Sequence, residues 1–123
     1  MINQEFIRKT SNVSMYMNVM DVFMLPSLFE GLPIVAVEAQ ISGLSVFLSD
    51  KITREVDSTG EVVFLPLDTH FWVSELQKSY HQDRQERVAV GMKLRGSRFD
   101  IDAQVGKLCE YYRNLLLYDC KRL

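Results

Sequence analysis

Two short apolar runs, residues 22–25 (VFML) and 45–48 (SVFL), are separated by a loop and one helix-length segment, and this spacing leaves few folds open. The first run is closed by Pro26 and Ser27, and residues 28–32 lead to Pro33. Proline suits the first position of a helix, where its missing N–H costs nothing, and it fixes φ in the helical range. The spacing predicts a helix over residues 33–42, stopped by Gly43. Strands without polar alternation are buried on both faces, and two of them joined through a helix form a parallel crossover unit. Ligands in such units bind at the carboxyl ends of the strands, beside helix amino termini. Here that place is residues 27–33.

Two carboxylates mark it. Glu30 lies in the loop and Glu38 in the second turn of the expected helix. At about 100° per residue, Glu38 projects about 40° from Ile34 and about 160° from Gln40, which is expected on the outer face. The expected apolar arc is Ile34, Val37, Ile41 and Leu44. An unpaired carboxylate beside it would be costly, so Glu38 calls for a partner, either a neighbouring side chain or the hydroxyls of a ligand. The alternative is a Glu38 at the helix border with its head in water, and Glu30 has the same alternative as a solvated loop residue.

The residues Asp21-Val22-Phe23, Leu25-Pro26-Ser27, Phe29-Glu30-Gly31-Leu32-Pro33, Val37-Glu38-Ala39, Gly43-Leu44 and Ser49-Asp50 resemble the donor-binding signature of retaining nucleotide-sugar glycosyltransferases of family 4. Those enzymes have the two-domain GT-B fold. The resemblance implies that Glu38 accepts hydrogen bonds from the donor's ribose hydroxyls. It places Glu30 near the transferred sugar and the leaving phosphate, as the catalytic candidate. Ser27, Phe29, Gly31, Leu32 and Pro33 complete the expected donor site. Gly31 would let backbone approach the ligand, and the amides around Pro33 would face the diphosphate. The resemblance further implies a nucleotide-sugar donor, a saccharide or lipid-linked acceptor, and neither metal nor other cofactor.

The rest of the chain fits one α/β domain. The 123 residues are 47% hydrophobic and 24% charged, with a formal net charge of −2 and mixed signs, which argues against a nucleic-acid partner. Phe6-Ile7 suggests the end of a strand, and residues 13–20 a short helix capped by Ser11 or Asn12. Residues 62–65 form a third apolar strand. Asp68 or Thr69 should cap a helix whose core stripe is Trp72, Leu76 and Tyr80. His70 and His81 have no triad around them and are expected as surface or satisfied structural residues. Residues 82–98 carry a basic excess, expected as a solvated face, with contact to an anionic membrane surface as the alternative. Asp100 and Asp102 open a last helix with Val105, Leu108, Cys109, Tyr112, Leu115 and Leu116 along one side.

Cys109 and Cys120 have no C-x-x-C spacing and are expected as buried thiols of a reducing compartment. No apolar run approaches the ~18–20 residues of a membrane span. The chain is expected in the cytoplasm, or peripheral at the inner face of the membrane. The fold expected is a partial Rossmann-like parallel sheet of three to four strands with flanking helices. Residues 1–123 would form one incomplete GT-B donor-binding domain, with 100–123 as a helical extension suited to bracing an amino-terminal domain. Without that domain, and without the basic pair that family members hold against the diphosphate, the chain reads as a truncated or split transferase, inactive alone. A complementary transferase subunit would be its partner. The other readings are a non-catalytic nucleotide-sugar-binding module and a degenerate remnant.

Overall fold

The structure is a computed structural model that describes residues 4–78 and 84–120. In chain order the described elements are α1 (Val13–Val19), β1 (Val22–Leu25), α2 (Ile34–Ile41), β2 (Ser45–Ser49), a 3-10 turn (Arg54–Val56), β3 (Val63–Leu65), α3 (Thr69–Lys78), α4 (Arg84–Met92) and α5 (Ile101–Cys120). The sheet has the order β1-β2-β3 and is parallel throughout, with Val22 opposite Ser45 and Phe47 opposite Val63.

β2 is central, and its side chains alternate between two apolar layers. Val46 and Leu48 join Ala36, Val37, Ala39 and Leu44 of the α2 side, with Ile52, Val56 and Leu94 closing that layer. Phe47 points to the other face, against Leu65 and Trp72 of α3. The apolar run is therefore buried on both sides, as the crossover requires. The chain is α/β, a partial Rossmann-like sheet with helices on both faces.

Gly43 ends α2 in two ways. Its φ of +68° suits a residue without Cβ, and the bonds Gly43 N to Gln40 O (3.0 Å) and Leu44 N to Ala39 O (3.1 Å) form a Schellman closure. A Cβ there would also lie 2.1 Å from the Arg87 carbonyl oxygen, so α4 crosses α2 at this glycine. Gly91 repeats the device from the other side, since its Cβ would meet the Ile41 carbonyl oxygen at 2.4 Å.

Several expectations are corrected. Pro33 is the N-cap of α2, and the helix begins one residue later at Ile34. The third strand begins at Val63. No strand forms near Phe6, which is exposed, and residues 4–10 have no regular secondary structure. The buried face of α2 is turned by about 100° from the one expected. Gln40 is 1% exposed, whereas Ile34 and Ile41 are 57% and 53% exposed. The reason is the crossover from β2 to β3, which runs along the flank of α2 and offers it backbone polar groups. The Gln40 amide nitrogen donates to Ala36 O (3.1 Å) and Val56 O (2.9 Å), and its oxygen accepts from Ser58 N (3.1 Å) and Thr59 Oγ1 (3.4 Å).

Other expectations stand. Asn12 is the N-cap of α1, though its side chain makes no capping bond. The Asp68 carboxylate accepts from His70 N at 2.9 Å, and the Trp72 indole N–H donates to Pro66 O at 2.8 Å. His70 lies exposed with its ring edge to Phe71. Tyr80 and His81 fall outside the described residues. The basic stretch is not simply solvated. Arg87 donates to Met17 O and Ser42 O, Lys93 pairs with Glu61, and Arg98 lies over the Phe99 ring. The apolar side of α5 is exposed, and so is Cys109, because nothing in the described chain packs along that helix.

Candidate functional site

The parallel sheet gathers three loops at the carboxyl ends of its strands. After β1 comes the bend 26–33, after β2 Asp50 and Lys51, and after β3 Pro66 to Asp68. Every residue of the expected donor site therefore lies at the edge where the fold binds ligands, or on the helix that rises from it.

Within the bend the Ser27 hydroxyl donates to Phe29 O at 3.2 Å, which holds the chain in a tight turn. The turn sends Phe29 outward, 84% exposed, and Leu32 is exposed beside it while Pro33 is buried. Gly31 has no positive φ, and a Cβ on it would meet nothing within 4 Å. The turn itself does not need glycine, and the space over its backbone is open. Pro33 brings no side-chain cap to α2; Ala36 N donates to Pro33 O at 3.0 Å, which leaves the amides of Ile34 and Val35 as the open ones of the first turn.

Glu30 is half-buried and Glu38 exposed, and neither carboxylate makes a hydrogen bond or an ion pair with the described residues. The expectation that Glu38 sits against the apolar arc is overturned. It stands on the exposed face of α2 between Ile34 and Ile41, so burial does not oblige it to have a partner. An acidic side chain flanked by two exposed isoleucines is nevertheless an unfinished surface, with apolar contact and a hydrogen-bond acceptor side by side.

Lys51 carries the positive charge at this edge that sequence reasoning did not single out. Its Nζ lies 3.5 Å from Asp50 Oδ1. The signal available was its position directly after an apolar strand. Gln40 was missed as a structural residue because a lone glutamine in a helix gives no periodic sign of burial. Among the described residues no group of three or more metal-ligating side chains comes together.

An open cleft of about 1290 Å³ lies elsewhere, between α1, α2, α4 and the start of α5. Asp21 and Ser42 on its wall precede β1 and β2, so it sits at the amino ends of the strands. Its charges are mixed, with Arg87 and Arg95 facing Asp21, Asp100 and Asp102, and Arg87 is already held by two carbonyls. It is not a built anion site.

Residues 3–81 match the family model described as glycosyl transferases group 1. A curated relative from Bacillus subtilis (strain 168), named "Putative glycosyltransferase EpsF", is 36% identical over 110 residues, which cover 87% of this chain and 29% of that protein. The chain thus spans less than a third of the relative's length. No solved structure matches.

Proposed function

The chain belongs to the glycosyl transferases of group 1, and on that premise we propose that it is the donor-binding part of a family 4, retaining enzyme of GT-B type. It takes a nucleotide-diphosphate sugar at the carboxyl edge of its sheet. One observation carries this reading. The carboxylates of Glu30 and Glu38, on the first crossover at that edge, have no protein partner among the described residues, and the space over Gly31 between them in sequence is open.

Glu38 accepts hydrogen bonds from the ribose hydroxyls, while Ile34 and Ile41 give the nucleoside apolar contact. The diphosphate rests on the open amides at the start of α2, favoured by the helix dipole. Glu30 orients the transferred sugar or stabilises the positive charge that grows at its anomeric carbon. Ser27, Phe29, Leu32 and Pro33 shape the bend that holds it. No divalent metal or other cofactor takes part. The acceptor is a saccharide or lipid-linked saccharide of cell-surface or exopolysaccharide assembly, the latter placing the work on the cytoplasmic side of the membrane. Among the described residues no helix is long and apolar enough to cross one.

A second reading has its own support. The carboxyl edge bears Glu30, Glu38, Asp50 and Asp68 against Lys51, which is paired with Asp50. A leaving diphosphate would find little compensating charge, so the chain alone binds donor without turning it over, and a complementary subunit supplies the remaining cations and the acceptor. Calorimetry with UDP and GDP tests the donor site. Wild type should bind one of them, and Glu38→Ala should bind at least tenfold more weakly, about 1.4 kcal/mol. Equal affinity of the two proteins, or no heat from wild type, rejects the assignment. Sugar transfer by the chain alone would reject the need for a second subunit.

A further inference from the structure

Ser49, Asp50 and Lys51 turn the chain out of β2, and backbone bonds fix the turn. Asp50 N donates to Leu65 O (2.8 Å), Lys51 N to the Ser49 hydroxyl (3.2 Å) and Ile52 N to Ser49 O (3.1 Å), while Ser49 and Ile52 are buried. The Lys51 side chain is 58% exposed, with its Nζ 3.5 Å from Asp50 Oδ1.

β2 is the middle strand, with Leu25 opposite Leu48 on one side and Leu65 opposite Ser49 on the other. Lys51 thus leaves the sheet between the bend after β1 and the residues after β3. Neighbouring strands are about 4.8 Å apart, so the first crossover is within reach of a four-carbon stem. The three loops of this edge, 26–33, 50–51 and 66–68, hold Glu30, Asp50 and Asp68 and one cation, Lys51. Other basic side chains are engaged elsewhere. Arg54 lies over the Phe64 ring at 4.4 Å, Arg87 is held by the Met17 and Ser42 carbonyls, and Lys93 and Arg98 face Glu61 and Glu55.

We propose that Lys51 is a donor-binding residue that exchanges the Asp50 carboxylate for the diphosphate of the nucleotide sugar. This role rests on the donor site proposed above. The exchange is easy, because an exposed ion pair between chain neighbours is weakly held. The diphosphate is the stronger partner, carrying charge on each phosphoryl group and resting on the open amides of Ile34 and Val35. An ammonium suits it, since it meets phosphate oxygens as a point charge with no fixed plane. Without Lys51 the acidic edge would repel an anionic donor.

Calorimetry on the full chain, with whichever of UDP and GDP wild type binds, is the test. Lys51→Met should weaken binding about tenfold, as expected for loss of one charged hydrogen bond at an exposed site. Lys51→Arg, which keeps the charge, should stay within about threefold of wild type. Lys78→Met removes an exposed lysine paired with Glu75 at the last turn of α3 and should change nothing. Affinity should fall more steeply with added salt in wild type than in Lys51→Met. Wild-type affinity in Lys51→Met, an equal loss in Lys51→Arg or Lys78→Met, or an unchanged salt dependence would each overturn the role of Lys51 and leave the donor site standing. A wild type that binds neither nucleotide would reject the donor site and this role with it.

Discussion

Gln40 has both amide hydrogens and its carbonyl oxygen in use, and the bonds to Val56 and Ser58 tie the crossover between β2 and β3 to α2. Replacing it by leucine keeps the volume but leaves buried backbone groups without partners, at about 1–3 kcal/mol for each group that water cannot reach. Gln40→Leu should therefore lower stability by at least about 2 kcal/mol in urea denaturation; a change inside the scatter of surface substitutions would show that the crossover is not held there. Gln40→Glu should be worse at neutral pH, since a carboxylate would face the Ala36 and Val56 carbonyls. The same residue marks the limit of legibility. Periodicity weighs apolar surface, and on that scale Ile34 and Ile41 outrank Gln40. The helix instead buries its small residues, Ala36 and Ala39, against the sheet and a glutamine against the loop. Glu38 was found by its motif, while its surroundings were misplaced for the same reason.

At the scale of elements, apolar runs and turn residues located β1, β2, β3, α2 and α3 to within a residue or two, because those segments carry their signals locally. The strand expected near Phe6 is not formed: the outer edge of β1 stays unpaired in the described sheet, and residues 4–10 lie outside it. Asp100 is the clearest local signal confirmed. Its carboxylate accepts from the amides of Gly96 (2.7 Å), Asp102 (3.1 Å) and Ala103 (3.4 Å), so it closes the turn after α4 and caps α5 together. The Gly96 bond foremost, then that of Ala103, holds the carboxyl below its ordinary range against an opposing desolvation, with lesser help from the Asp102 bond and the charge of Arg95. A folded value below the unfolded one contributes stability that is full above the unfolded value, about 3.9, and is lost as pH falls through the folded one. The start of α5 should accordingly loosen below about pH 4, with amide exchange at Asp102 and Ala103 rising first. Asp100→Asn should abolish that pH dependence; an unaltered acid limb would show that another carboxylate carries it.

For the whole molecule, the family was legible because its motif lies within one crossover, whereas the role of α5 was not, because a stripe records only that a partner exists. A helix without tertiary contacts is marginal in water at this length, and burial of its apolar face supplies most of its stability. The α/β body and α5 should then behave as separate units. Deleting residues 105–123 removes the stripe beyond Ile101 but keeps the Asp100 cap and the Gln104 bond to Ser97 O. At low concentration the shortened chain should keep the urea midpoint of the full chain, since no core side chain loses a neighbour. A midpoint that falls on deletion even in dilute solution would mean that α5 supports its own domain, and the body and helix would have to be treated as one cooperative unit.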